Sequence, residues 1–121
     1  RLPMRAVEHR LPPALQTHEL CLLPSASGPS SVLVTQMEEG RLLKIHVEAD
    51  DGLLSHKMDT ATFEPPESMV EERGGLPFVG LHGLSPSSRP GKAWITLQYI
   101  NTICLVDVQT LAVEVAISCP R

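Results

Sequence analysis

The sequence predicts an all-β fold of two four-stranded antiparallel sheets plus one extra strand. Three observations carry that expectation. The first is the stretch Lys92–Val108, KAWITLQYINTICLVDV, in which two apolar runs, Ala93–Leu97 and Thr102–Val108, flank a polar turn centred on Asn101. Ile, Val, Leu, Thr and Trp suit a pleated, packed surface. Asn enters the left-handed backbone region cheaply, which fits a hairpin tip. The second is a repeat: Val34–Val47 aligns without a gap on Ile95–Val108, setting Thr35 on Thr96, Gly40 on Asn101 and Leu42, Leu43, Ile45 on Ile103, Cys104, Val106. Gly40 and Asn101 meet the same demand for a positive φ. The third is the regular alternation of short strands and turns along the chain.

Ala6–Leu11 reads as the extra strand, closed by Pro12-Pro13, which cannot continue a ladder. Gln16–Leu23 is the next strand and ends at the Ser-, Gly- and Pro-rich loop Pro24–Ser31. Val32–Met37 and Arg41–Glu48 form the first hairpin. Asp51-Gly52 is a turn pair, and Leu53–Thr60 continues as a less hydrophobic outer strand. Ala61–Gly80 has no convincing period, and a loop of that length in a compact domain is usually functional or mobile. The plan then repeats, with Gly80–Ser85 as inner strand, Pro86–Gly91 as loop, the hairpin, and Leu111–Ser118 as outer strand stopped by Pro120. Both faces of Ala93–Leu97 are apolar, so this hairpin is expected between other sheets. Four-stranded units of this kind point to blades of a partial β-propeller. The division is 1–13 for a preceding outer strand and connector, 14–60 for one blade, 61–79 for a connecting loop and 80–121 for a second blade.

The 121 residues allow one domain with a modest core, and 42% apolar content argues against disorder. A net charge of −4 with no Lys/Arg block makes nucleic acid and anionic membrane poor partners, and 3% aromatics leave little for stacking on bases or sugars. Cys21, Cys104 and Cys119 have neither CxxC nor Cys/His zinc spacing. Cys104, aligned with Leu43, reads as a small buried hydrophobe. No run is long enough to span a bilayer. No GxSxG, P-loop, HExxH or dinucleotide Gly motif is present, and the order of Ser, His and Asp selects no triad.

The pattern Leu81-His82-Gly83-Leu84, then Ala93-Trp94-Ile95-Thr96, then Asn101-Thr102-Ile103 resembles the repeat of virginiamycin B lyase (streptogramin lyase) propellers. NHL and gluconolactonase-like propellers share much of that grammar. The resemblance covers most of the chain and marks architecture better than activity. It implies a closed ring of six or seven blades that opens one C–O bond of a cyclic peptide lactone by elimination, with magnesium. It also implies a catalytic His at the start of an inner strand; His82 stands at that position and His18 at the equivalent one a blade earlier. Elimination needs a base beside a carbonyl and an acid at the leaving oxygen, and His serves either role near neutral pH.

The chain departs from that family where it is often acidic, holding Gln36 and Gln98 instead. Magnesium prefers carboxylate oxygens, so no metal ligands are assigned. Two readings of His82 and His18 stay open, catalytic groups or recurrent structural residues bonding a neighbouring blade. Glu38, Glu39, Arg41, Tyr99 and Asn101 are expected on the rim beside them, gripping a small-molecule ligand or a protein. Trp94 matches a packing position of the repeat. His46 and His56 read as surface residues, and Glu38-Glu39 and Asp50-Asp51 as solvated charges. Two blades and a spare strand do not close a ring, so the expected remainder is more of a longer propeller, or further copies of the chain.

Overall fold

The computed structural model describes residues 11–12, 14, 16–23, 31–50, 53–65, 67 and 79–119, with backbone alone for 47–50 and 53–56. The expected strand Ala6–Leu11 (all but its last residue), the turn at Asp51-Gly52, and most of the loops 24–31 and 61–80 lie outside those residues.

Eight strands are found among the described residues: β1 (Thr17–Leu23), β2 (Ser31–Gln36), β3 (Arg41–Asp50), β4 (Leu53–Thr62), β5 (Leu81–Pro86), β6 (Lys92–Leu97), β7 (Thr102–Asp107) and β8 (Val113–Ser118). They form two four-stranded sheets, β1-β2-β3-β4 and β5-β6-β7-β8, each an antiparallel meander. The expected all-β architecture and both hairpins are therefore present. The irregular segment begins later than expected, because Ala61 and Thr62 still pair with Leu42 and Arg41.

The repeat is built from matching backbone bonds. Gly40 and Asn101 both take positive φ, 61° and 53°. The second hairpin closes through a one-turn 3-10 helix, Gln98–Ile100, that ends on left-handed Asn101. Met37 N–H donates to Gln16 C=O (2.8 Å), and its counterpart Gln98 N–H to Gly80 C=O (2.9 Å). Phe63 N–H donates to Gly40 C=O (2.7 Å), and Cys119 N–H to Asn101 C=O (2.9 Å). Each hairpin turn is thus tied to the entry of its inner strand and to the exit of its outer strand. A Cβ on Gly40 would lie 2.5 Å from Phe63 O and 2.9 Å from Val79 Cγ2, so this position tolerates no side chain.

The core lies between the sheets. Cys21, Leu23, Leu33 and Leu42 of the first pack with Leu81, Ala93, Ile95, Leu97, Cys104 and Val106 of the second. β5 lies against β1 and β2. Strand alternation puts Leu33 and Thr35 on one face of β2 and Val32 and Val34 on the other. The buried residues Ala93 and Ile95 align with Val32 and Val34. Opposite faces of the repeat therefore meet at the seam, a head-to-tail stack.

The expectation that the second hairpin is sandwiched does not hold. One face of β6 and β7 is buried on the first sheet, whereas the other carries the exposed Ile103, and β8 is exposed along its whole length, Val115 and Ile117 included. Trp94 sits half-buried on that open face, outside the core cluster. The outer strand β8 also begins later than predicted. Asp107 Oδ1 accepts from the N–H groups of Gln109 (2.8 Å) and Thr110 (3.0 Å), which organises a turn through left-handed Leu111. Cys104 is buried as expected, and burial pushes its thiol pKa up. The same cause, with the nearby Glu19 charge second, raises that of Cys21. Cys119 is exposed.

Candidate functional site

Both inner strands enter their sheets through a bulge. Thr17 pairs with Gln36 and Leu20 with Val34, so His18 and Glu19 together face the single residue Thr35. Leu81 pairs with Leu97 and Leu84 with Ile95, so His82 and Gly83 face Thr96. A bulge leaves an N–H without its ladder partner and re-aims side chains. The Thr hydroxyls supply the missing acceptor: Thr35 Oγ1 accepts from Glu19 N–H (3.0 Å) and Thr96 Oγ1 from Gly83 N–H (2.7 Å). The tighter contact needs glycine, since a Cβ on Gly83 would stand 2.8 Å from that oxygen.

The two bulges bring the predicted imidazoles together across the seam. The rings of His18 and His82 are 4.2 Å apart between centroids and tilted by 44°. Leu81 N–H donates to Met37 C=O (3.3 Å), and the Thr35 hydroxyl makes a long contact to the His82 carbonyl (3.5 Å). Tyr99 OH reaches Glu38 Oε1 at 3.4 Å, joining the two hairpin turns. Asn101 Nδ2 donates to Cys119 C=O (2.7 Å). Glu39 lies half-buried in the first turn, and Arg41 opens β3 opposite Gln36 and Thr62. Of the expected rim, then, Tyr99 and Glu38 touch, Asn101 lines the same cavity as His82, and Arg41 stands on the far strand of its turn.

An open cavity of about 280 Å³ adjoins His82 on the uncovered face of the second sheet, lined among others by Thr96, Gln98, Asn101, Ile103 and Cys119. Nothing in the residue order points to Cys119 there, because its place depends on where β8 ends against the turn.

The donor set does not fit magnesium. Gln36 is fully buried, its Nε2 bound to the Pro12 carbonyl (2.9 Å) and, more weakly, to Thr17 Oγ1 (3.4 Å). Gln98 is exposed, and no three His, Cys, Asp or Glu side chains among the described residues are close enough to hold a metal ion. Two acceptors at this end of the first sheet, Gln36 Oε1 and Glu19 Oε2, are buried with no hydrogen-bond partner among the described residues.

A second cluster escaped sequence reading. Ser31 Oγ lies 3.2 Å from His46 Nδ1, and His46 Nε2 lies 3.0 Å from Asp59 Oδ2. His46 is therefore half-buried and partnered rather than a plain surface residue; the His56 side chain lies outside the described residues. The three residues come from three adjacent strands, so only the register could have assembled them. Ser31 pairs with Leu23 on one side and His46 on the other, which commits its backbone N–H to the ladder instead of to an oxyanion. The cluster ties β2, β3 and β4 together.

No helix among the described residues is long and apolar enough to cross a membrane. No family model, no curated protein and no solved structure matches this chain.

Proposed function

We propose that the chain is a two-blade segment of a β-propeller serving as a non-catalytic binding module. Its rim takes a partner rich in hydrogen-bond donors, such as a basic peptide or an amine. The observation that carries this reading is the pair of buried acceptors without a partner among the described residues, Glu19 Oε2 and Gln36 Oε1. A buried oxygen without a donor costs free energy that a ligand N–H recovers on binding. Glu38 and Glu39 in the neighbouring turn add charge of the matching sign. The test is an NMR titration of the labelled chain with lysyl-lysine amide. Saturable shifts at the Glu19, Gln36 and Glu38 amides support the reading. No shift, or equal shifts with an acetylated, uncharged analogue, rejects it.

A second reading is favoured by the His18–His82 contact. Two groups able to give or take a proton near neutral pH stand side by side, as an elimination requires. In a streptogramin-lyase-like reaction one imidazole removes the proton beside the carbonyl and the other protonates the leaving oxygen. The ring opens to an isomer of unchanged mass. Incubation with a cyclic depsipeptide lactone tests it directly: a linear isomer, lost in His82→Ala, favours the lyase, and unreacted lactone excludes it.

A further inference from the structure

We propose that the cavity beside His82 is a seat for the β1 entry of a second copy of this chain, docked head to tail. The seam already in the molecule supplies the template, independently of any rim ligand. Five of the residues around the cavity have clear counterparts in the first sheet: His18 for His82, Thr35 for Thr96, Met37 for Gln98, Gly40 for Asn101, Leu42 for Ile103. In the first sheet Thr35, Met37, Gly40 and Leu42 are buried while His18 stays exposed, and what lies against them is the entry of the second. Leu81 N–H takes the Met37 carbonyl, the His82 carbonyl faces the Thr35 hydroxyl, and the His82 ring lies on His18. Val79 sits over Gly40. Leu33, Thr35 and Leu42 are fully buried there, whereas Trp94 and Thr96 are half-buried and Ile103 is exposed.

The matching entry exists on the same chain. His18, Glu19 and Leu20 form a bulge of the same register as His82, Gly83 and Leu84, and Leu20 and Leu22 are 69% and 64% exposed. Leu84, the counterpart of Leu20, packs against the core. In the docked pair Thr17 N–H of one copy would donate to Gln98 C=O of the other, the His18 carbonyl would accept from Thr96 Oγ1, and Leu20 would meet Ile103. Gln98 C=O already accepts Asn101 N–H, as Met37 C=O accepts Gly40 N–H, and Met37 shows that the second lone pair takes the incoming donor. Asn101 replaces the bare Gly40 and ties its amide to the Cys119 carbonyl, which narrows the seat without closing it. Such an interface is heterologous and propagates until a ring closes.

Sedimentation velocity of the whole chain over a concentration series tests this, with two surface variants, Ile103→Glu in the seat and Leu20→Glu on the entering strand. The wild type is expected to gain mass with concentration and each variant alone to stay monomeric. An equimolar mixture should form a dimer and stop there, since each variant keeps one intact face. A wild type monomeric throughout overturns the proposal and leaves the seat to a following sheet of a longer protein. A mixture that stays monomeric overturns it as well. Should a variant fail to fold by circular dichroism, alkylation of wild-type Cys119 decides. This exposed thiol is expected to become protected as concentration rises, and unchanged reactivity contradicts the seat.

Discussion

Leu42 in the first sheet and Ile103 in the second stand at the same point of the repeat, yet Leu42 is fully buried and Ile103 keeps 36% of its surface exposed. The same contrast recurs at Thr35 and Thr96 and at Gly40 and Asn101. Backbone devices are shared: positive φ at the turn, a bulge at the inner-strand entry, a hydroxyl accepting the bulge N–H. What differs is cover. The first sheet carries a neighbour on this face and the second does not. Local geometry is therefore a property of the repeat, and burial is a property of its place in the stack.

That contrast sets the order of the expected effects. Leu42→Ala should cost about 2–5 kcal/mol, because a fully buried Leu leaves a cavity when truncated. Ile103→Ala should cost about 1 kcal/mol in the monomer, in line with its partial burial. Equal losses in urea melts would break the comparison. Gly40→Ala comes next. It adds the strain of a left-handed non-glycine residue, about 1–2 kcal/mol, to a clash with Phe63 O and Val79. Asn101→Gly removes only the side-chain bond to Cys119, worth about 0.5–1.5 kcal/mol, and relieves the backbone in return.

Thr35→Val and Thr96→Val strip the acceptor from the bulges. A loss of about 1–3 kcal/mol is expected where the N–H stays buried, with Thr35 at the upper end because it is fully enclosed. Hydrogen exchange at the Glu19 and Gly83 amides should speed in the respective variants. A global loss without faster exchange at those two amides would mean that the hydroxyls matter for packing alone.

The smallest effect belongs to the second sheet alone. Lys92 donates to Asp107 (2.8 Å) and also bonds Glu114. The Lys92 bond, then the backbone N–H groups of Thr110 and Gln109, holds the Asp107 carboxyl down to about 2 from an ordinary 3.8. A carboxyl with a depressed folded pKa stabilises fully above its unfolded value and loses that contribution as pH falls through the folded one. The advantage of wild type over Asp107→Asn should thus be complete above about pH 4 and vanish towards pH 2 in thermal melts. A gap unchanged across that range would contradict the assignment.

Much of this architecture could be read from residue order, and the division follows a physical line. Gly40 and Asn101 announced the turns because a positive φ is a local demand few residues meet. The match of Thr35 with Thr96 was visible, but its meaning was not. A bulge sets two residues against one, and single-strand periodicity does not show where that happens. His18 and His82 were picked out as a pair of equivalents; their contact needed the stacking of two sheets. Ser31, His46 and Asp59 gave no signal, since their meeting depends on the register of three strands. The openness of the second hairpin was missed for the same reason. An apolar face records what a strand can bury, and the partner decides what it does bury.

Stacking of the two sheets at their entries is the feature on which everything else depends, and through-space NMR tests it most directly. It is best recorded on dilute Ile103→Glu chain, where contacts between copies are suppressed. Cross-peaks are predicted between the ring protons of His18 and His82 and between a Val79 methyl and the Gly40 α-protons. With those resonances assigned, the absence of both sets of peaks would contradict the stack.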